Sequence, residues 1–114
     1  MTRPIITYVV AYEGTGLVKI GQARYYGDRM MQLRNGSPIH PTPVCAFIGA
    51  HHEKELHALF AHLRKRLEYF EDSAEFRAHL ANREGRITHQ EALTLSPLLS
   101  KLRKSQACSD SEKT

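Results

Sequence analysis

Residues 5–21 read Ile5-Ile6-Thr7-Tyr8-Val9-Val10-Ala11-Tyr12-Glu13-Gly14-Thr15-Gly16-Leu17-Val18-Lys19-Ile20-Gly21. The opening run to Ala11 is β-branched and aromatic, which predicts a buried strand. Glu13-Gly14-Thr15-Gly16 supplies a turn, because glycine takes the positive φ angles that a tight reversal needs. Leu17 to Gly21 then reads as a second short strand, so the pair predicts an antiparallel hairpin.

Outward from this hairpin, the chain alternates between helical and extended signals. A short helix is expected from about Tyr26 to Arg34, with Asn35-Gly36 as its exit. Ser37-Pro38-Ile39-His40-Pro41-Thr42-Pro43 has three prolines that hold it extended. Val44-Cys45-Ala46-Phe47-Ile48 predicts a third strand. Leu56, Leu59, Phe60 and Leu63 recur at i, i+3, i+4 and i+7, predicting one amphipathic helix from about His51 to Arg66. Leu67-Glu68-Tyr69-Phe70 reads as a short extended stretch. Asp72-Ser73-Ala74-Glu75 and Thr88-His89-Gln90-Glu91 both read as capping boxes, and Ser96-Pro97 as a further helix start. The expected class is α/β: a small three-stranded antiparallel sheet flanked by helices, with a short helical C-terminal extension. The break at Asn82-Arg83-Glu84-Gly85-Arg86 divides the chain into a domain over 1–85, an extension over 86–104 and a polar, disordered tail over 105–114.

The 114 residues suffice for one core, and 41% hydrophobic with 25% charged residues places the chain among soluble globular proteins. No apolar run approaches the roughly 20 residues that span a bilayer, so no membrane partner is expected. The start, Met1-Thr2-Arg3-Pro4, lacks the features of a signal peptide, and two cysteines make no disulfide framework, so a cytoplasmic location is expected. Net charge is +4, and residues 1–66 hold nine Lys/Arg against four Asp/Glu. The basic half therefore favours an anionic partner. The seven histidines form no Cys-x-x-Cys or His-x-x-x-His pair, and Cys45 reads as a small core residue, so structural zinc is not expected.

Several pieces in order resemble the GIY-YIG nuclease superfamily. Tyr8 sits on the first strand, Lys19-Ile20-Gly21 closes the second, Arg29 follows ten residues after Lys19 on a short helix, and Glu55-Leu56-His57 lies on a later helix. The wording is similar to a small phage-associated subfamily with Val-Lys-Ile-Gly in place of the tyrosine form. Gln32-Leu33, Asn35-Gly36-Ser37-Pro38 and Leu67-Glu68-Tyr69-Phe70 supply its other marks, over residues 7 to about 80. Lys19 stands where the wider superfamily has its second tyrosine, and no counterpart is found to the asparagine that several of its enzymes place after the glutamate.

The resemblance implies a metal-dependent DNA endonuclease. Glu55 would hold one Mg²⁺ or Mn²⁺, and Arg29 would fork onto phosphate oxygens. Tyr8 would position or deprotonate water, with Lys19 lowering its pKa or binding phosphate. His57 would donate a proton or contact phosphate. Arg24, Arg34, Arg64, Arg66, Lys101, Arg103 and Lys104 are the cations expected to meet the DNA backbone. Each such site cuts one strand, so double-strand cleavage would need a homodimer or two events. Two other readings stay open: a catalytically inactive DNA-binding module on the same fold, and a small phage-type protein that binds another protein. Each residue also has a structural reading. Tyr8 could be hairpin packing, Lys19 a snorkelling edge residue, Arg29 an exposed helix residue beside Asp28, and Glu55 a surface partner of His51.

Overall fold

The computed structural model describes residues 4–96. The hairpin forms as read: β1 (Ile6–Tyr12) pairs antiparallel with β2 (Leu17–Ala23), and Gly14 and Gly16 take φ of +83° and +71° in the turn. The chain continues through α1 (Tyr26–Asn35), β3 (Pro41–Ile48), α2 (His51–Leu59), a 3₁₀ turn at Ala61–Leu63, β4 (Arg64–Arg66) and β5 (Tyr69–Glu71). It ends in α3 (Ala74–Asn82), β6 (Arg86–Ile87) and α4 (His89–Leu95).

The α/β class holds, but the sheet has six strands in the order β4-β5-β2-β1-β3-β6, all antiparallel, rather than three. The extra strands span two or three residues each, too few for an alternation to show in sequence. β3 also starts earlier than expected, at Pro41. Proline is tolerated there because β6 pairs only with Ala46 and Phe47, leaving the outer side of Pro41 and Pro43 without a strand.

Helix α2 ends at Leu59, not near Arg66. Phe60 leaves the helix and enters the core edge-on against Phe76, with ring centroids 4.9 Å apart. Arg64 and Arg66 are then free to pair with Phe70 and Tyr69. Leu59, second of the periodic apolar residues, is left 51% exposed.

Alternation along β1 divides the core. Val9 faces one layer with Val18, Ile20, Cys45 and Phe47, covered by Leu56, Phe60, Phe76 and Leu80 from the α2 and α3 side. Ile6, Tyr8, Val10 and Tyr12 face the other with Ala46, covered by Tyr26 and Leu33 of α1 and Ala92 of α4. Each fully buried Phe, Leu or Val side chain contributes about 1.5–3 kcal/mol relative to exposure.

One of the two expected capping boxes forms: Thr88 and Glu91 make the reciprocal pair that opens α4. At α3 the cap is Ser73, whose Oγ accepts from the Phe76 amide, while Asp72 is taken by Arg77 and Glu75 by His62, so no box forms there. The stretch from residue 86 is built into the same body: β6 joins β3, and Ser96 Oγ accepts from the Tyr26 amide and donates to the Arg24 carbonyl. Ser96 thus serves the start of α1. The second expected helix, which would begin at Ser96-Pro97, and the tail over 105–114 lie outside the described residues.

Candidate functional site

Cross-strand partners share a face, so the register of the hairpin orients its polar residues. Tyr8 lies opposite Gly21, and Lys19 lies opposite Val10. Tyr8 and Val10 belong to the α1-side layer, so Lys19 and Gly21 face that layer as well. Gly21 leaves room for the Tyr8 ring: a Cβ there would lie 2.6 Å from Tyr8 Cζ. A bare backbone at Gly21 therefore lets the phenol lie across β2.

Tyr8 is 1% exposed, and its hydroxyl accepts a hydrogen bond from Arg29 Nε at 3.1 Å. The register of α1 supplies this contact. Leu33 and Tyr26 anchor the helix to the sheet, and Arg29 on the intervening turn reaches inward. Arg29 Nη1 also donates to Gln32 Oε1 at 3.3 Å. The guanidinium sits in the wall of an open groove of about 780 Å³, with Arg24, Tyr25, Asp28 and Asn35 among its neighbours.

Burial raises the Tyr8 pKa above its ordinary value, against the lowering effect of Arg29; the charges of Glu68 and Glu53 raise it further. A raised pKa favours the neutral hydroxyl over the phenolate. In that form its oxygen accepts from Arg29, which leaves its own proton to donate. Lys19 is not among the groups that shift Tyr8. Its amine is 3.4 Å from Glu68 Oε2 and 5.5 Å from the centre of the Tyr69 ring. Tyr69 in turn packs on Tyr12, whose pKa is pushed up to about 12 by burial and by the neighbouring Tyr69.

Of the two α2 glutamates, Glu53 is the one whose charge adds, after that of Glu68, to the raised pKa of Tyr8. His57, one turn after Glu53, has Nε2 3.1 Å from the Ile20 carbonyl and meets the edge of Phe70. Residues four apart share a helix face, so Glu53 lies on the β2 side of α2 with His57. Glu55, two residues on, points to the other flank and pairs with Arg83, which also donates to His52 and His79. His57 donates its ring N–H to the backbone, and so holds α2 against β2 rather than facing the phenol.

Strand β5 pairs only with Leu17–Lys19, and Ile20 N–H reaches the Glu68 carbonyl. The outer edge of β2 from Gly21 onward is thus left without a strand. Arg64 and Arg66 are exposed on β4 at the far side of this opening, Arg24 is exposed in the groove beside Arg29, and Arg34 lines a second groove on the other flank of α1. Lys101, Arg103 and Lys104 lie outside the described residues. Among the described residues no three His, Cys, Asp or Glu side chains are grouped to cage a metal, and no helix is long and apolar enough to cross a membrane.

This face, with a phenol held by an arginine, an open groove and cations around it, has donors of the kind that bind phosphate oxygens. The family model of the T5orf172 domain matches residues 5–96, and the chain belongs to that family. The match overturns the GIY-YIG resemblance, because the T5orf172 domain is a distinct family. It is a DNA-associated domain, so the function is DNA-related. No curated protein and no solved structure matches the chain.

Proposed function

We propose that this T5orf172 domain is a DNA endonuclease that hydrolyses phosphodiesters with the help of one divalent cation. The observation that carries the reading is the buried Tyr8 hydroxyl. It is fixed by Arg29 at the wall of an open groove and lies within the field of Glu53 and Glu68. A core tyrosine needs only one hydrogen bond to be satisfied. It does not need an arginine at a groove or two carboxylates nearby.

The donors fit a hard cation. Mg²⁺ or Mn²⁺ is commonly held by one or two carboxylates, with water and phosphate oxygens completing the shell. Glu53 would be the principal ligand, with Glu68 on the opposite rim. When bound, the ion supplies neutralising charge at the phosphoryl group and an acidified water. This chain's own residues do the rest. Arg29, with one edge spent on Tyr8 and Gln32, presents its remaining N–H groups to a non-bridging oxygen. Tyr8 donates a hydrogen bond to a phosphate oxygen and fixes its position, while the water would give up its proton to solvent. Lys19 lies 3.4 Å from Glu68 and offsets its charge beside the site.

Conversion of supercoiled plasmid to nicked circle in Mg²⁺ or Mn²⁺, and its loss in chelator, tests the activity. Tyr8→Phe tests the role of the phenol. It removes only the hydroxyl, so plasmid affinity should stay within about twofold while the nicking rate falls by about 10²-fold. With its pKa held above the ordinary value near 10, Tyr8 stays protonated throughout the working range. The ratio of wild-type to Tyr8→Phe rates should therefore be flat from about pH 6 to pH 9. A ratio that climbs tenfold per pH unit would instead make Tyr8 the base. Metal-independent binding without any nicking would favour the binding-module reading.

A further inference from the structure

The β4–β5 hairpin is the most unusual surface of the described residues. Arg64, Lys65 and Arg66 are consecutive and exposed on an edge strand. Leu67 follows at the tip, 65% exposed and at φ +50°. The left-handed region suits glycine or asparagine, and an exposed leucine gains nothing there from packing. The turn is nonetheless held firmly. Arg64 Nε donates to the Leu67 carbonyl, and the Glu68 carbonyl accepts from Ile20 N–H. Each carboxylate of the hairpin has a cation nearby: Lys19 lies 3.4 Å from Glu68, and Lys65 lies 3.7 Å from Glu71 in a long, solvent-exposed pair that leaves its amine able to turn to a phosphate. What remains outward is positive charge around one apolar side chain, tied by backbone to the residue before Gly21.

Cations on the backbone together with an apolar side chain between base steps is how proteins kink and open duplex DNA. A protein-docking hairpin would bring more apolar surface to its partner than one leucine among three cations. We propose that the β4–β5 hairpin is a duplex-DNA wedge, in which Arg64, Lys65 and Arg66 grip the phosphates beside one base step and Leu67 enters that step. The unstacked step then presents its phosphate to the edge of β2, where Tyr8 and Arg29 lie. This inference rests on the DNA reading of the site and adds the form of DNA and the way it is held.

The test uses the full chain without divalent cation and a short duplex carrying 2-aminopurine at several steps. Wild type should raise the fluorescence at least about twofold on binding, as the probe unstacks. Leu67→Gly suits the left-handed turn and keeps the fold, which a thermal melt checks. It should abolish the rise and weaken binding about tenfold, while Leu67→Met should keep the rise. Arg64→Gln, Lys65→Gln and Arg66→Gln combined should lower the slope of log affinity against log salt by about 2–3. A duplex bound with no rise, or a rise that survives in Leu67→Gly, overturns the wedge. An unchanged salt slope moves the hairpin off DNA and overturns the proposal in favour of a protein partner. Nicking activity separates the two readings. If the plasmid is nicked and Leu67→Gly changes nothing, the wedge alone fails; if the wedge signal appears and no nicking occurs, the nuclease reading alone fails.

Discussion

Glu53→Gln is expected to reduce metal-dependent plasmid nicking by about 10²–10³-fold and to leave plasmid affinity nearly unchanged, whereas Glu55→Gln should retain nicking within a few-fold. The two carboxylates are two positions apart on α2, and the helix turns them to opposite flanks. Glu53 shares the β2 side with His57, whose imidazole holds the helix to the Ile20 carbonyl, and its charge reaches Tyr8. Glu55 pairs with Arg83, part of a cluster with His52 and His79 on the far flank. The amide keeps the shape of the side chain and removes the charge that a hard cation needs. Glu55→Gln has a different signature. Its side chain is 55% exposed, so loss of the pair should cost no more than about 1 kcal/mol of stability, read as a small drop in the melting temperature. If Glu55→Gln stops nicking and Glu53→Gln does not, the assignment is reversed and the metal lies on the Arg83 flank.

The sequence predicts one helix from about His51 to Arg66. The helix stops at Leu59, so His62 and Arg66 are not on it, and the expected helix does not place Glu53 and Glu55 on the right faces. A shorter spacing was legible: in Glu53-Lys54-Glu55-Leu56-His57, Glu53 stands one turn before the histidine that follows the core leucine, so the two share a helix face. The hairpin residues were readable because strand pairing is set by turn length and alternation: Tyr8 and Lys19 face the same layer, where Arg29 bonds Tyr8. Their chemistry was not. That Tyr8 is buried deeply enough to keep its proton, and that Lys19 is committed to Glu68 and Tyr69, depends on β5, a strand of three residues whose pairing is non-local. The basic run Arg64-Lys65-Arg66 was legible as charge, but its place at a hairpin tip was hidden inside the apparent helix.

Gly21→Ala should both destabilise the fold and abolish nicking, because the site and the core meet at this residue. An added Cβ would sit 2.6 Å from Tyr8 Cζ, far inside van der Waals contact. Tyr8 cannot yield easily: it is fully buried, packed in the layer with Val10, Tyr26 and Leu33, and bonded to Arg29. Overpacking of this kind costs about 1–3 kcal/mol, to be read as a shift in the denaturation midpoint. Any relief moves the hydroxyl away from Arg29, so nicking should fall at least about tenfold even in the fraction that remains folded. Second substitutions at Tyr8 separate the collision from general damage to the strand. Tyr8→Phe removes the hydroxyl that the Cβ would meet first but keeps the ring carbon 2.6 Å away, so Gly21→Ala should still destabilise that background, by less than wild type. Tyr8→Leu removes the ring, so Gly21→Ala should cost little there, giving a coupling of about 1–2 kcal/mol in the double-mutant cycle. Neither double variant should nick DNA, since both lack the hydroxyl. Equal costs of Gly21→Ala in all three backgrounds would mean that the phenol does not lie across Gly21, and the site would have to be drawn again without it.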